Sequence, residues 1–314
     1  MKNRLTTILS RFYNYQHYFG LRMAWFYIIY PRFGGKNAIL RRHEEIKRYI
    51  KKEFADILSK YKAMEYVPES NEPQRKIWVC WLQGEENMPE IVRSCYHSIC
   101  SHAAGRIVTL ITEDNLHDYI EVPEFITEMK QTGKISRTHY ADYIRILLLK
   151  THGGLWIDAT ILVTDDITID SGFSFFSQKQ KPDSIYFVSQ YRWLVGLLSC
   201  SPACGEYMFG CLEELFRAYL LKRNFFIDFF LFDYFIAVMY DELSSVKQLI
   251  DECPYNNTYF YKLLDLLDEE YKEEEMIQLK KNGIFHRLTW KQQFNKFTKD
   301  NKETFYGIII NTWS

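Results

Sequence analysis

The sequence of 314 residues predicts an α/β fold, and two stretches carry that prediction. The first, residues 76–111, reads as a short apolar strand, a helix and a second strand, a β-α-β unit that implies a right-handed crossover between parallel strands. The second, residues 137–164, reads as a helix, a glycine turn and a buried strand. With 47% apolar residues, the chain can form one sizeable domain with an appendage, or two small domains.

Residues 1–66 read as a helical segment rich in aromatic and basic side chains. The first 62 residues hold 14 Lys and Arg against four acids, a net charge of +10, while the whole chain carries −1. This excess suggests an anionic partner, and membrane lipid is favoured over nucleic acid because no nucleic-acid-binding motif accompanies it. The uncharged run at residues 23–30 is shorter than the ~20 residues of a bilayer span. Two interpretations stay open: a segment lying at a membrane interface, or helices packed on the main domain.

Residues 67–74 have the composition of a linker, and the second domain is expected at residues 75–314. Its first strand ends near Trp81, and a turn containing Gln83 follows. Ligands of open α/β sheets bind beyond the carboxyl ends of strands, so both side chains are predicted at a binding cleft. An indole there can stack on a flat base, and the alternative role for Trp81 is in the core.

The helix and strand of residues 137–164 are predicted to bring two acids and an arginine to one turn. Asp142 and Arg145 lie three residues apart and therefore share a helix face. The helix stops at Gly153 and Gly154, since glycine takes the left-handed conformation without a Cβ penalty. Asp158 lies between two apolar runs, where a carboxylate needs a partner such as a metal or a ligand hydroxyl.

The stretch at residues 225–240 is mostly apolar but carries Asp228 and Asp233. Two acids argue against a membrane span and for a buried helix with polar contacts. One role for them is contact with an acceptor sugar. The favoured role is capping, or an ion pair with Arg217 or Arg223.

The last informative stretches are residues 184–193, predicted as a strand, and residues 284–291. In the second stretch, His286, Arg287 and Lys291 are candidates for closing over a diphosphate, because cations stabilise its charge.

The order and spacing of these residues resemble a known family. HYADYIR followed by GGLWIDAT is similar to the D-x-x-R, G-G, D-x-D series of the capsular polysaccharide synthesis proteins, with KIWVCWLQG upstream and FHRLTWK downstream. These proteins are relatives of the family thirty-two glycosyltransferases and, more distantly, of the clostridial glucosylating toxins. The DAT ending points to the capsular subgroup, because the wider group usually has a second aspartate where this chain has Thr160.

The resemblance implies a GT-A architecture, in which helices flank a Rossmann-like mixed central sheet, with the helical N-terminal segment as an appendage. It also implies a retaining transferase that takes a hexose from a nucleotide-diphosphate sugar, with UDP-hexose favoured. The implied catalytic residues are Asp142, Arg145 and Asp158. The implied donor-binding residues are Trp81, Gln83, Asp142, Arg145, Gly154, Asp158, Thr160 and Lys291.

A divalent cation, Mn²⁺ or Mg²⁺, is also implied, since it stabilises the charge of a leaving diphosphate. Its implied ligands are Asp158, Thr160 and His286. Thr160 offers only a neutral hydroxyl where the wider group has a carboxylate. Metal binding is therefore expected to be weaker, or completed by His286 or another C-terminal group, or dispensable.

The complete expectation is a bacterial cytoplasmic enzyme, peripheral on the inner membrane, that extends a lipid-linked saccharide during capsule or surface-polysaccharide assembly. Two alternatives remain. Thr160 keeps open a non-catalytic scaffold of a polysaccharide assembly complex. The distant toxin relatives keep open a protein glycosyltransferase, which the absence of translocation regions disfavours.

Overall fold

The computed structural model describes residues 2–64, 66, 75–168, 172–181 and 185–313, with side chains from residue 6 onward. The linker predicted at residues 67–74 lies outside the described residues. Within them, helices flank a central mixed sheet, so the predicted α/β architecture is confirmed.

The strands form a central sheet of five and a separate pair. In chain order they are β1 (Lys76–Cys80), β2 (Ile107–Ile111), β3 (Gly154–Ile157), β4 (Ile161–Val163), β5 (Phe175–Ser177), β6 (Leu197–Cys200) and β7 (Phe285–Arg287). The central order is β2-β1-β3-β6-β5. β1 runs parallel to β2 and β3, as the β-α-β pattern predicts, whereas β6 is antiparallel to β3 and β5. β4 and β7 form the antiparallel pair.

The α-helices vary from single turns to five turns. In chain order, those of the described residues are α1 (Lys2–Phe19), α2 (Leu21–Ala24), α3 (Gly35–Glu53), α4 (Ala55–Ala63), α5 (Glu90–Ser101), α6 (Glu124–Gln131), α7 (Arg137–His152), α8 (Pro202–Cys204), α9 (Gly210–Lys222), α10 (Leu231–Glu242), α11 (Ser244–Glu252), α12 (Lys262–Leu266), α13 (Glu273–Asn282) and α14 (Phe305–Trp313).

The helix α7 and the strand β3 are joined by two glycines, and both positions require glycine. Gly153 and Gly154 have φ angles of +61° and +100°, which disfavour any residue with a Cβ. A Cβ on Gly154 would also lie 2.8 Å from Nε1 of Trp78. That indole donates a hydrogen bond to the Gly153 carbonyl at 2.9 Å. The glycine pair thus ends the helix and lets the core tryptophan pack against the turn.

The N-terminal helices pack on the main domain. The Tyr15 hydroxyl donates to the Ile227 carbonyl at 2.9 Å, and Nδ1 of His43 lies 2.6 Å from the Tyr234 hydroxyl. Basic residues of α3 and α4 pair with acids of the following domain, as in Lys47–Asp241 at 2.9 Å and Lys60–Glu214 at 2.6 Å. Part of the charge imbalance seen in the sequence is therefore neutralised within the molecule. Among the described helices, none is long and apolar enough to cross a membrane.

The strand predicted at residues 184–193 is wrong over its described part, residues 185–193, which forms bends and turns. The strands of this region are β5 and β6, which flank that part of the chain. Gln190 and Tyr191 have φ angles of +49° and +60°, and this left-handed backbone cannot continue a strand. The aromatic residues of this stretch lie instead in a loop, in which Tyr186 is exposed and Trp193 is buried.

Candidate active site

Asp158 follows β3 directly, and its carboxylate is the centre of a hydrogen-bonded cluster. Oδ1 accepts hydrogen bonds from Nη2 of Arg145 and Nε1 of Trp156, both at 2.8 Å. Oδ2 accepts from Nη1 of Arg287 at 2.5 Å. Burial alone raises the pKa of Asp158, but the two arginines outweigh it and hold the pKa below its usual value. The carboxylate is therefore ionised at neutral pH.

Arg145 connects Asp158 to a second acid on its own helix. Its Nη1 donates to Oδ1 of Asp142 at 3.1 Å, so one guanidinium bridges the two carboxylates. The guanidinium lies 4.7 Å from the ring centroid of Trp156 and 5.3 Å from that of Phe232. Arg145 is 4% exposed and its Nε has no hydrogen-bond partner in the structure. Buried between two rings and two acids, the guanidinium has little freedom to move.

The two acids that share Arg145 differ in their affinity for protons. Burial raises the pKa of Asp142 to about 6, Arg145 lowers it, and the negative charge of Asp158 raises it. The pKa of Asp158 is shifted the other way, as described above. Carboxyl groups whose environments separate their pKa values are typical of sites where one group binds or moves a proton and the other stays charged.

Arg287 reaches the cluster from the opposite end of the chain. It lies on β7, level with Ile161 of β4, and its backbone N–H donates to the Phe260 carbonyl at 2.7 Å. Its side chain is 33% exposed, so one side of the ion pair with Asp158 is open to solvent. A Cβ on Gly196 would come within 2.9 Å of both Nη1 of Arg287 and Oδ2 of Asp158. Gly196 therefore leaves the space in which this pair forms.

His286 is adjacent to Arg287 in sequence, but the structure does not place it beside Asp158. Successive residues of a strand point to opposite faces, so the side chain of His286 turns away from the cluster. It is fully buried, its Nε2 lies 3.3 Å from the Thr164 hydroxyl, and burial lowers its pKa to about 4. The resemblance implies this histidine as a metal ligand together with Asp158. The alternation of β7 separates the two and selects Arg287 instead.

The predicted metal ligands are accordingly not assembled in the structure. Both oxygens of Asp158 are held by guanidinium groups, and positive charges at these positions disfavour a cation. Oγ1 of Thr160 is buried without a hydrogen-bond partner and offers one neutral oxygen. Across the described part of the chain, no three His, Cys, Asp or Glu side chains are grouped so as to hold a metal ion. The residues present do not fit a divalent cation in this arrangement.

Trp81 lies at the same sheet edge as Asp158, because β1 and β3 are parallel and each residue follows its strand. Its ring is partly exposed and stands edge-on to Trp290, with centroids 6.0 Å apart. Gln83 is exposed in the following turn, and its carbonyl accepts a hydrogen bond from Asn87. Lys291 is exposed next to Trp290. The pair of indoles thus joins the turn after β1 to the loop that carries Lys291.

Gly154 lies away from this edge. It opens β3, whereas Asp158 follows the end of the strand, and it is buried against Trp78. The structure gives Gly154 a packing role, and its predicted donor contact stays a prediction.

Asp228 and Asp233 have partners other than the arginines named from the sequence. Oδ1 of Asp228 accepts from the Phe230 backbone N–H at 2.9 Å, which closes a turn before α10, and Oδ2 accepts from the Tyr27 hydroxyl at 2.8 Å. The N-cap of α10 is Phe230 and, within the described residues, no side chain caps it, so the predicted capping role is wrong for Asp228. Arg217 pairs with Glu213 instead, at 2.9 Å. Arg223 donates to Tyr49 and lies 3.7 Å from Glu53.

Asp233 faces the candidate site. Its Oδ1 accepts from Nε1 of the buried Trp193 at 3.0 Å. Burial raises the pKa of Asp233 to about 7, the Trp193 hydrogen bond lowers it, and the charges of Asp142 and Arg145 lie near enough to shift it further. From sequence, acceptor contact and a structural role both stay open for this residue, and its nearness to Asp142 and Arg145 follows from the placement of α10.

Comparison with known proteins adds a family. The family model described as "Capsular polysaccharide synthesis protein" matches residues 29–309, so the match begins in the N-terminal helices, before the boundary predicted at residue 75. A search of curated proteins finds no match. Among solved structures, the chain is similar to the apo structure of the bifunctional glycosyltransferase WbbM, with 11% identity and a TM-score of 0.39. The similarity covers 80% of this chain and 51% of that one, so this chain spans about half of the WbbM chain.

Proposed function

The chain belongs to the capsular polysaccharide synthesis protein family, and from that premise we propose that it is a GT-A glycosyltransferase acting in capsule or surface-polysaccharide assembly. It transfers a hexose from a nucleotide-diphosphate sugar, with UDP-hexose favoured, to a saccharide acceptor, and it retains the anomeric configuration. Membership of this family supports the role in polysaccharide assembly. The observation that carries the reaction is the contact of Asp142, Arg145 and Asp158 at one sheet edge.

The roles of these residues follow from their geometry. The donor sugar binds with its hydroxyls on Asp158 and Asp142, which are the acceptors within reach of the bridging Arg145. Because Arg145 is fixed by packing, the sugar is held in one orientation, and orientation is a large part of the rate enhancement of group transfer. Trp81 offers a ring face to the nucleobase, and Gln83 and Thr160 border the same edge.

Two cations near the C-terminal end of the chain, one on β7 and one in the loop after it, are placed to bind the diphosphate. Arg287 is part-exposed beside Asp158, and Lys291 is exposed four residues further on. Cations at these positions stabilise the charge that develops on the leaving diphosphate. With two arginines on Asp158 and a neutral Thr160, we expect turnover to persist when Mn²⁺ and Mg²⁺ are removed by EDTA. A strict requirement for Mn²⁺ or Mg²⁺ would contradict this expectation and support the metal site implied by the family resemblance.

A lipid-linked acceptor would place the enzyme on the inner membrane face, and the N-terminal helices provide a suitable surface. Leu21, Trp25 and Phe33 are 46–65% exposed there, and Arg22 and Arg32 are exposed beside them. Exposed aromatic and basic side chains on one segment are typical of proteins that bind membrane interfaces.

The test is donor hydrolysis by the purified protein across UDP-glucose, UDP-galactose, UDP-N-acetyl sugars and GDP-mannose, with Mn²⁺ or with EDTA. We expect turnover of one donor and a loss of at least 100-fold in Asp158→Asn, because the sugar hydroxyls lose their anionic acceptor. Glu213→Gln is the matched control. This residue is a more deeply buried acid, also paired with two cations, on the other side of α7, and its variant should keep the wild-type rate per folded molecule.

Two other outcomes would redirect the assignment. Absence of both turnover and nucleotide binding under every condition would favour the non-catalytic scaffold. Labelled protein bands after incubation with a host lysate and a labelled donor would favour the protein glycosyltransferase.

A further inference from the structure

We propose that five aromatic side chains leading away from Asp158 bind the saccharide acceptor by contact of ring faces and edges with successive sugars, with Asp233 accepting a hydrogen bond from an acceptor hydroxyl. This rests on the proposed function and names the surface that the acceptor occupies. The five residues, here termed the aromatic strip, are Tyr261, Tyr191, Phe187, Phe230 and Phe229.

The rings of the strip follow one another at regular steps. Consecutive ring centroids are 6.5, 5.5, 5.7 and 5.2 Å apart, from Tyr261 to Phe229. Phe229 and Phe230 are 56% and 42% exposed, Tyr261 is 37% exposed, and the two middle residues are half-buried. Each ring thus contacts its neighbour and keeps part of its surface in solvent. Neighbouring rings are tilted by 51° and 52° or stand nearly perpendicular, at 86° and 88°, so the row offers ring faces and ring edges in turn, at intervals on the scale of one monosaccharide.

The strip begins at the candidate active site. Phe260, beside Tyr261, accepts the backbone hydrogen bond of Arg287 at 2.7 Å, which holds this end of the strip against β7. Burial raises the pKa of Tyr261 to about 12, and Arg287, Tyr191, Asp233 and Asp158 all lie near enough to influence it. A saccharide lying along the strip therefore has its first sugar beside Asp158 and Arg287.

The chemistry of the strip favours a saccharide over a phosphate-bearing ligand. None of the five strip side chains carries a charge, and aromatic faces stack on the apolar faces of pyranose rings. Asp233 and Arg287 both lie at the active-site end of the strip, and acceptors and donors together suit sugar hydroxyls, which donate and accept. Trp193 donates to Oδ1 of Asp233 at 3.0 Å, and the carboxyl group has further lone pairs with which to accept sugar hydroxyls. Exposed rings next to a fixed hydroxyl acceptor suit a neutral glycan.

The backbone of the strip is held in an unfavourable conformation to make this row. Gln190 and Tyr191 are non-glycine residues with positive φ, and such strain persists only where surrounding contacts maintain it. The Gln190 N–H bonds to the Phe187 carbonyl at 3.1 Å, and the Tyr191 carbonyl accepts from Gln180 at 3.0 Å. This tight turn brings Phe187 and Tyr191 into ring contact and directs Tyr191 to Tyr261.

The experiment measures saccharide binding and acceptor kinetics together. The probes are octyl glycosides and linear oligosaccharides of glucose, galactose and mannose, observed by saturation-transfer NMR. The variants are Tyr191→Ala and the double variant Phe229→Ala/Phe230→Ala, whose two rings are the most exposed of the strip. We expect the saturation-transfer signal to fall at least fivefold and the KM for the saccharide acceptor to rise about tenfold, while the KM for the donor changes less than twofold. Phe297→Ala, a 49% exposed ring on the C-terminal loop, is the control and should match the wild type.

The outcomes separate the strip from the enzyme assignment. Equal saccharide signals in wild type and strip variants would overturn the strip, even where donor hydrolysis upholds the transferase. Loss of binding to anionic vesicles, with an unchanged saccharide signal, would also overturn it and assign the rings to lipid. A wild type that binds saccharides through the strip but hydrolyses no donor would uphold the strip and refute the transferase.

Discussion

Two carboxylates on opposite sides of α7 have similar partners and different surroundings. Glu213 accepts hydrogen bonds from the Tyr143 hydroxyl at 2.7 Å, Nζ of Lys150 at 3.2 Å and Nε of Arg217 at 2.9 Å. Asp158 likewise accepts from one aromatic side chain and two cations. By charge and by number of donors the two acids look alike, although the Asp158 side chain is 19% exposed and that of Glu213 is 7% exposed.

They differ in where they lie and in what their cations do. Glu213 lies between α7 and α9, and its cations are side chains 37% and 43% exposed that bind no second acid there. Asp158 lies at the carboxyl edge of two parallel strands, and its buried arginine also holds Asp142. Ion pairing and burial by themselves therefore do not identify a site. A shared, immobile arginine at a sheet edge is the more informative feature.

The largest difference in stability and activity between the Asp158 and Glu213 clusters is expected when one arginine is removed from each. Arg145→Ala leaves Asp142 and Asp158 buried without their common partner, which should destabilise the protein by about 3–5 kcal/mol and reduce donor hydrolysis at least 1,000-fold. Arg217→Ala removes a part-exposed cation and should lower stability by less than about 1 kcal/mol. Urea unfolding and donor hydrolysis measure both effects. Similar losses in the two variants would abolish the distinction.

A second contrast concerns Asp233, which accepts a hydrogen bond from Trp193 but, among the residues that the structure describes, has no cation on the same carboxylate. Its pKa is raised to about 7, so the folded state binds this proton more tightly than the unfolded state, and the associated stability is lost as pH rises through 7. Asp233→Asn does not titrate. It should be more stable than wild type at pH 8 by about 2–4 kcal/mol, with the difference shrinking toward pH 4. Thermal unfolding across that range tests this, and a difference that does not vary with pH would contradict it.

The smallest expected effect on stability comes from adding a methyl group to one glycine near each of the two acids. The added methyl of Gly196→Ala presses on the ends of two flexible side chains, Asp158 and Arg287, so unfolding should change by less than about 1 kcal/mol. Displacing that pair should still lower donor hydrolysis about tenfold. Gly210→Ala, on the helix that carries Glu213, places its methyl 3.1 Å from the Tyr61 hydroxyl and should leave hydrolysis unchanged. Equal activity in the two variants would show that the Asp158–Arg287 distance is not critical.

The sequence predicts local features of this fold well. The helix with Asp142 and Arg145, its glycine stop and the strand before Asp158 all depend on neighbouring residues, and all are found as expected. The β-α-β start also follows from local pattern and handedness. The loop at residues 185–193 differs from the predicted strand because aromatic residues, which favour strands, also occur in loops that pack against a core.

The rest of the site depends on contacts between distant residues. Arg287 is 129 residues from Asp158, and one residue of strand register decides whether it or His286 faces the acid. The nearness of Asp233 to Asp142 and Arg145 depends on where α10 packs. The role of Gly196 is visible only from the space that it leaves for Asp158 and Arg287. For the N-terminal segment, composition left membrane contact and packing equally open. The ion pairs with Asp241 and Glu214 depend on the three-dimensional arrangement.

The contacts of the N-terminal helices also have a consequence for synthesis. Tyr15 bonds to Ile227, 212 residues later, and Tyr27 to Asp228. At about 5–20 residues per second, the ribosome needs roughly 10–40 s to supply those partners after the first helix has emerged. During that interval, Tyr15 and Tyr27 lack these later partners, so the side of the N-terminal helices that packs on them stays uncovered. The nascent protein then exposes this surface to solvent and to chaperones until residues 225–242 have left the exit tunnel.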